Sequence, residues 1–214
     1  MLTVVFLWLM TVLAPGLTDP ACRGHDCLQN YVERPEPSYR WEDLGLRLEG
    51  GDWTGYVLNF TSQQWLSPHL VSRSEWWHQL LIIVPHHLTV RQTGLLWITG
   101  GSNDHQTGEI NIQDFDVQMM GNISVSNEMV TAVLFQVPNQ PIVFLEDPLL
   151  EERWEDEIVS YTWWHYLQDS SSQTDYLLRL SMTKAAVKAM DTINYFLTDD
   201  TVPDELQGLG LGKV

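Results

Sequence analysis

A chain of 214 residues with 44% hydrophobic and 11% aromatic content can bury one substantial core, which excludes a disordered polypeptide and argues for one domain or a little more. Its 28 acidic against 11 basic residues give a net charge of −17, so nucleic acid and anionic membrane surfaces are poor partners, because binding them needs a basic stripe. Ten tryptophans, four of them paired as Trp76-Trp77 and Trp163-Trp164, could line an aromatic ligand groove, although buried packing is the expected role for most.

Met1 to Ala14 carries no charge and is dominated by Val4-Val5-Phe6-Leu7-Trp8-Leu9-Met10. A block this short, ending near Ala14-Pro15-Gly16, reads as a secretory signal peptide over residues 1–16, since a spanning helix needs about 20 apolar residues. The expected location is therefore extracellular, with no membrane contact once the signal is removed. Residues 17–37 form a lead-in segment containing Cys22 and Cys27, which can close a small disulfide loop in an oxidising compartment. Cys22, His25 and Cys27 could instead hold a metal, but structural zinc wants four ligands and no second cluster follows, so no metal or cofactor is expected. Asn59-Phe60-Thr61 and Asn122-Ile123-Ser124 are N-glycosylation acceptors and agree with export.

From residue 38 to 214 the pattern is α/β. Tyr39–Leu48 and Trp53–Thr61 read as two strands joined at Gly50-Gly51-Asp52, and residues 62–74 as a loop. Leu80–Val84 and Leu95–Thr99 are apolar runs without alternation, the pattern of strands buried on both faces. The second run ends in Gly100-Gly101-Ser102-Asn103, where a glycine pair past a strand lets backbone N–H groups face a cleft, or simply makes a tight strand-to-helix turn. Asp104–Met129 is interrupted by polar residues, with Ile110, Phe115 and Met119 placed to face the sheet from a helix. Val130–Val137 is a buried strand ended by Pro138. Asp147-Pro148 can open a helix carrying Trp154, Ile158, Tyr161 and Trp164 on one face, closed by Ser170-Ser171-Ser172. Met182–Leu197, with Ser181 as cap, shows the clearest helical spacing, and Pro203 with Gly208, Gly210 and Gly212 makes a loop.

Trp76-Trp77-His78, the run "LLWITGGSND", "MTKAAVKAMDTI" and the earlier "YVERPEPSYRWE" resemble the PhoPQ-activated pathogenicity-related protein family, which includes an autocrine proliferation repressor of social amoebae. That family is similar to α/β-hydrolases, which implies an antiparallel leading pair of strands and an oxyanion role for Gly100, Gly101, Ser102 and Asn103. The resemblance covers about Leu28 to Lys213 and implies that the family continues into a further strand and a serine-bearing turn, so this chain is expected to be the front part of such a domain, without the nucleophile and inactive alone. No G-x-S-x-G, H-E-x-x-H or Walker pattern occurs, no catalytic residue is assigned, and His78 beside two tryptophans reads as a core histidine. Three readings stand at this point: part of a secreted serine hydrolase, a secreted signalling or growth-repressor protein that keeps the fold without catalysis, and a truncated product. The partner in the first two is an extracellular substrate or receptor.

Overall fold

Leu80, Leu81, Ile82 and Ile83 are consecutive and have no exposed surface. Side chains on a strand alternate between faces, so such a run needs a cover on both sides. In the computed structural model, which describes residues 26–104, 110–169 and 174–198, the run belongs to β3 (Glu75–Pro85) at the centre of a five-stranded sheet. The strand order is β1 (Arg40–Glu49), β2 (Trp53–Gln64), β3, β5 (Met129–Leu134), β4 (Val90–Ile98). Neighbouring pairs are antiparallel except β4 with β5, which is parallel. This is the expected mixed α/β class with an antiparallel leading hairpin.

The covers are two helices on opposite faces. Leu80 and Ile82 pack with Tyr56, Leu58 and Phe60 of β2 and with Ala189, Ile193 and Phe196 of α4 (Leu178–Thr198). Leu81 and Ile83 pack with Trp53, Val57 and Val133 and with Val117 and Met120 of α2 (Phe115–Asn127). Each fully buried Leu or Ile stabilises the fold by roughly 1.5–3 kcal/mol, so this four-residue run is a large contribution to the core. α2 starts where Asp114 accepts hydrogen bonds from the N–H groups of Asp116 (2.8 Å) and Val117 (3.4 Å). It connects β4 to β5, the crossover that a parallel pair requires. A third cluster lies beyond the sheet, where Trp65, Trp76 and Phe144 meet Ile158 of α3 (Glu155–Gln168). Smaller elements are α1 (Cys27–Glu33) and the pair β6 (Ile142–Val143) with β7 (Glu152–Arg153).

Several boundaries differ from the sequence reading. β2 runs on to Gln64: Ser62 and Gln63 are buried, Gln63 pairs with Trp76 of β3, and Ser62 sits at a bulge with its hydroxyl on His78. β4 is not buried on both faces: it is the edge strand of the described sheet, with Leu95, Trp97 and Ile98 each more than 40% exposed. Phe115 is 76% exposed at the start of α2, and the buried positions are Val117, Met120, Gly121 and Ser124. β5 stops at Leu134, since Gln136 takes the left-handed conformation (φ 58°) and turns the chain away. Asp147 does not cap a helix. It accepts the Leu149 N–H in a turn and pairs with Arg153, and α3 begins eight residues later behind Trp154, whose N–H donates to Glu157 (3.0 Å). Ser181 lies inside α4, its hydroxyl donating to the Leu178 carbonyl. The predicted tryptophan burial also holds only for some: Trp53, Trp65 and Trp76 are core residues, whereas Trp97, Trp154, Trp163 and Trp164 are exposed. The expected signal peptide over residues 1–16, Cys22, Ser170–Ser172 and the glycines after Pro203 lie outside the described residues.

The Trp53 indole is wedged between the first hairpin and α2. A Cβ at Gly121 would lie 2.6 Å from the indole nitrogen, and one at Gly50 would lie 1.8 Å from its ring. Gly121→Ala sets two effects against each other: helix propensity favours alanine by about 1 kcal/mol, while overpacking against a rigid ring costs about 1–3 kcal/mol. We expect the clash to win, lowering the thermal midpoint by several degrees. A midpoint raised by the substitution would show that Trp53 does not fix the helix position.

Candidate active-site loop

β4 delivers the chain to Thr99 at the carboxyl end of the sheet's parallel pair. There Thr99 N–H donates to the Leu134 carbonyl (2.9 Å), and the Thr99 carbonyl accepts from Val137 N–H (3.1 Å). The Gly100 carbonyl accepts from Gln136 N–H (2.9 Å), and Asn103 N–H donates to the Gln140 carbonyl (2.7 Å). Both ends of the Gly100–Asn103 loop are therefore strapped to residues 134–140.

Side-chain amides continue the strapping inward. Asn103 is fully buried, and its Nδ2 donates to Asn139 Oδ1 (2.7 Å), whose own Nδ2 donates to the Trp77 carbonyl (2.6 Å). Gln136 Oε1 accepts the Gln79 N–H (2.8 Å), and Gln140 Oε1 accepts the Glu155 N–H at the start of α3 (2.7 Å). On the outer side Arg73 donates to the Asn103 carbonyl (2.6 Å) and pairs with Asp104 (2.5 Å), whose carboxylate also accepts from the Ser102 hydroxyl (2.9 Å).

Between these ties the backbone is open. Gly101 sits at φ +124°, a conformation closed to other residues, and a side chain at Gly100 or Gly101 would meet nothing nearer than 3.7 Å. Among the described residues, the hydrogen bonds that hold the loop use the Gly100 carbonyl and both backbone groups of Asn103, and leave out the N–H groups of Gly101 and Ser102. Such a loop can present fixed donors to an anion without spending them on the fold.

His78 stands behind this arrangement. Its Nδ1 faces the carbonyls of Phe135 and Gln136 (3.1 Å each), so Nδ1 carries the proton and Nε2 accepts from the Ser62 hydroxyl (2.9 Å). Burial pushes its pKa down to about 4, against the opposing pull of those carbonyls. A serine and histidine in contact have the atoms of a nucleophile and its base, yet both are wholly inaccessible, and the pair is a core hydrogen bond. His86 and His87 lie at an exposed strand end, beside Thr54 and Glu128 respectively. His165 of α3 stacks on Tyr176 at 4.9 Å, its pKa lowered by burial while Glu146 and Asp147 oppose that shift.

The sequence pointed to Gly100–Asn103 but not to Gln136, Asn139 and Gln140, which shape the loop. A signal for them existed in the two prolines, Pro138 and Pro141, that interrupt the amide-rich run after β5, and both are preceded by cis peptide bonds. Asn59 and Asn122 are both exposed, on β2 and α2. Cys27 opens α1, and its expected partner Cys22 lies outside the described residues. Among the described residues, no group of three or more His, Cys, Asp and Glu could hold a metal, and no helix is long and apolar enough to cross a membrane.

Because His78 is neutral in the fold and titrates near 6.5 when unfolded, the unfolded chain binds more protons between those values. Stability should therefore fall as pH drops from about 6.5 towards 4, by roughly 3 kcal/mol if His78 acts alone. Urea unfolding across this range measures it. His78→Asn should be less stable at pH 7 and show a flatter dependence. An identical slope in the variant would assign the effect to other groups.

The PhoPQ-activated pathogenicity-related protein family matches residues 28–203. Autocrine proliferation repressor protein A of Dictyostelium discoideum is 34% identical over 196 residues, 90% of this chain and 36% of that protein. The chain thus spans about a third of the length of this curated relative. Two structures of glucuronoyl esterase from Solibacter usitatus align at 13% and 10% identity with TM-scores of 0.43 and 0.34, each over 85% of this chain and 49% of the other. With most of its length matched by the family and a relative at this identity, the chain belongs to the PhoPQ-activated pathogenicity-related proteins.

Proposed function

We propose that this chain is the front portion of a secreted serine-hydrolase-like protein in which the Gly100–Asn103 loop holds the negative charge of a tetrahedral intermediate. The observation that carries the reading is Gly101, fixed at φ +124° past the end of β4 with its N–H and that of Ser102 left out of the loop's own hydrogen bonds. The chemistry serves an ester or a peptide, since hydrolysis of either passes through a tetrahedral oxyanion. The nucleophile would come from polypeptide outside the described residues. The reading of export is supported by the apolar first fourteen residues, the charge of −17, two exposed glycosylation acceptors, and the spacing of Cys22 and Cys27, which suits a disulfide loop in an oxidising compartment.

A second reading, a secreted signalling protein without catalysis, draws on the name of the Dictyostelium relative, a proliferation repressor. Fold alone does not separate the two. The deciding experiment uses the protein purified at its native length and a simple aryl ester. Gly101→Pro removes one N–H and forces φ from +124° to about −65°, and should lower kcat about 10²–10³-fold; because this strains the strapped loop, kcat is compared at a temperature well below both thermal midpoints. Unchanged hydrolysis would remove the loop from the mechanism. No hydrolysis in the wild type, together with growth repression that survives Gly101→Pro, would establish the second reading.

A further inference from the structure

α3 and the start of α4 do not close on each other. Between them lies a pocket of about 180 Å³, lined by Val159, Thr162 and Trp163 of α3 and by Leu178, Arg179 and Leu180. The lining is almost entirely apolar. Thr162 spends its hydroxyl on the Val159 carbonyl (3.1 Å), and the Arg179 guanidinium is drawn to Glu155 (3.3 Å), so Arg179 offers the pocket its aliphatic stem. Trp163 is 46% exposed, its ring set edge-to-face against Tyr166 at 5.7 Å. Whole ligands of drug size occupy about 300 Å³ or more, so a pocket this small suits one arm of a ligand.

The pocket is joined to the candidate loop through the first turn of α3. Glu155 precedes Val159 by four residues and shares its helix face. The Glu155 N–H donates to Gln140 Oε1 (2.7 Å), and its carboxylate accepts from Arg179. Gln140 Nε2 in turn borders the open space at Gly100, 3.7 Å from where a Cβ there would lie. The pocket therefore begins one helical turn, about 5.4 Å along α3, beyond the residue tied to Gln140.

We propose that this pocket is the acyl subsite of the candidate site, and that it takes an unbranched aliphatic chain of medium length whose carbonyl oxygen rests on the N–H groups of the Gly100–Asn103 loop. The inference deepens the hydrolase reading and rests on it. A narrow chain suits a small pocket reached past Gln140 and the Arg179–Glu155 pair, where a branched or ring-bearing group is too wide. The apolar lining also selects against sugar hydroxyls and peptide N–H groups, which would lose water there without gaining a partner. An acetyl group held on the loop stops short of Val159 and gains nothing from the pocket.

The test compares an aryl acetate with the corresponding aryl octanoate, using the protein purified at its native length. The expected kcat/KM for octanoate exceeds that for acetate about 10–100-fold. Leu180→Trp, which fills the pocket, and Trp163→Ala, which removes an exposed wall, should each lower that ratio about tenfold. Trp163→Ala should do so with the thermal midpoint little changed, since the ring is half exposed. Hydrolysis of both esters at equal kcat/KM, or a ratio that neither variant moves, overturns the pocket assignment and leaves the loop in place. Hydrolysis of neither ester removes the hydrolase reading, and the proposal falls with it.

Discussion

The double-sided burial of β3 is the constraint on which the rest of the structure depends. Leu80 and Ile82 demand α4 on one face, while Leu81 and Ile83 demand α2 on the other. Because α2 must sit between β4 and β5 in the chain, β5 pairs with β3 and β4 is carried to the outside. That order brings the end of β5 beside His78, whose Nδ1 takes the carbonyls of Phe135 and Gln136. Gln136, so held, gives its N–H to Gly100. The loop geometry is therefore tied to the central strand by two hydrogen-bonded steps, from His78 to Gln136 and from Gln136 to Gly100.

Polar contacts fix what apolar burial does not. The segment before β1 lies along α4 through the ion pair of Lys184 with Glu36 at 3.1 Å, whose side chains are 4% and 8% exposed. Lys184 also donates to the Arg34 carbonyl, Arg34 pairs with Asp175, and Tyr31 donates to Gln63. Burial lowers the Lys184 pKa, and Glu36 is the principal opposing influence. A pair so desolvated adds little net stability but permits one arrangement only, since removing either partner strands a buried charge. It is a device for register, placing "YVERPEP" against "MTKAAVKAM".

Local pattern made the hairpin, β3 and the body of α4 legible, because each rests on spacing or on an unbroken apolar run. Residues that act through distant partners were not. The start of α3 was placed at Asp147, whose acidic followers fit a helix dipole; the same acids recur at Glu155, Asp156 and Glu157, and Asp147 is bound instead by Arg153. β4 read as buried from composition, which reports what a strand is suited to contact and not what lies beside it. The candidate loop was visible as two glycines, while its clamp of Gln136, Asn139 and Gln140 was not, since a buried amide in a loop has no period to betray it.

The chemistry available within the described residues is divided between two places. Ser62 and His78 have a hydroxyl, a base and an orienting carbonyl in hydrogen-bond reach, but no surface through which a substrate could touch them. Gly100–Asn103 has open space and undedicated donors, but no side chain there is held by a base. Accessibility, and not the supply of residue types, decides which of the two can meet a ligand. A buried Ser–His pair rigidifies, whereas an open glycine loop on a rigid strand end is preorganised for an anion. On the proposed reading, charge stabilisation is the part of a hydrolytic reaction that this loop would perform, and the nucleophile would come from residues outside those described.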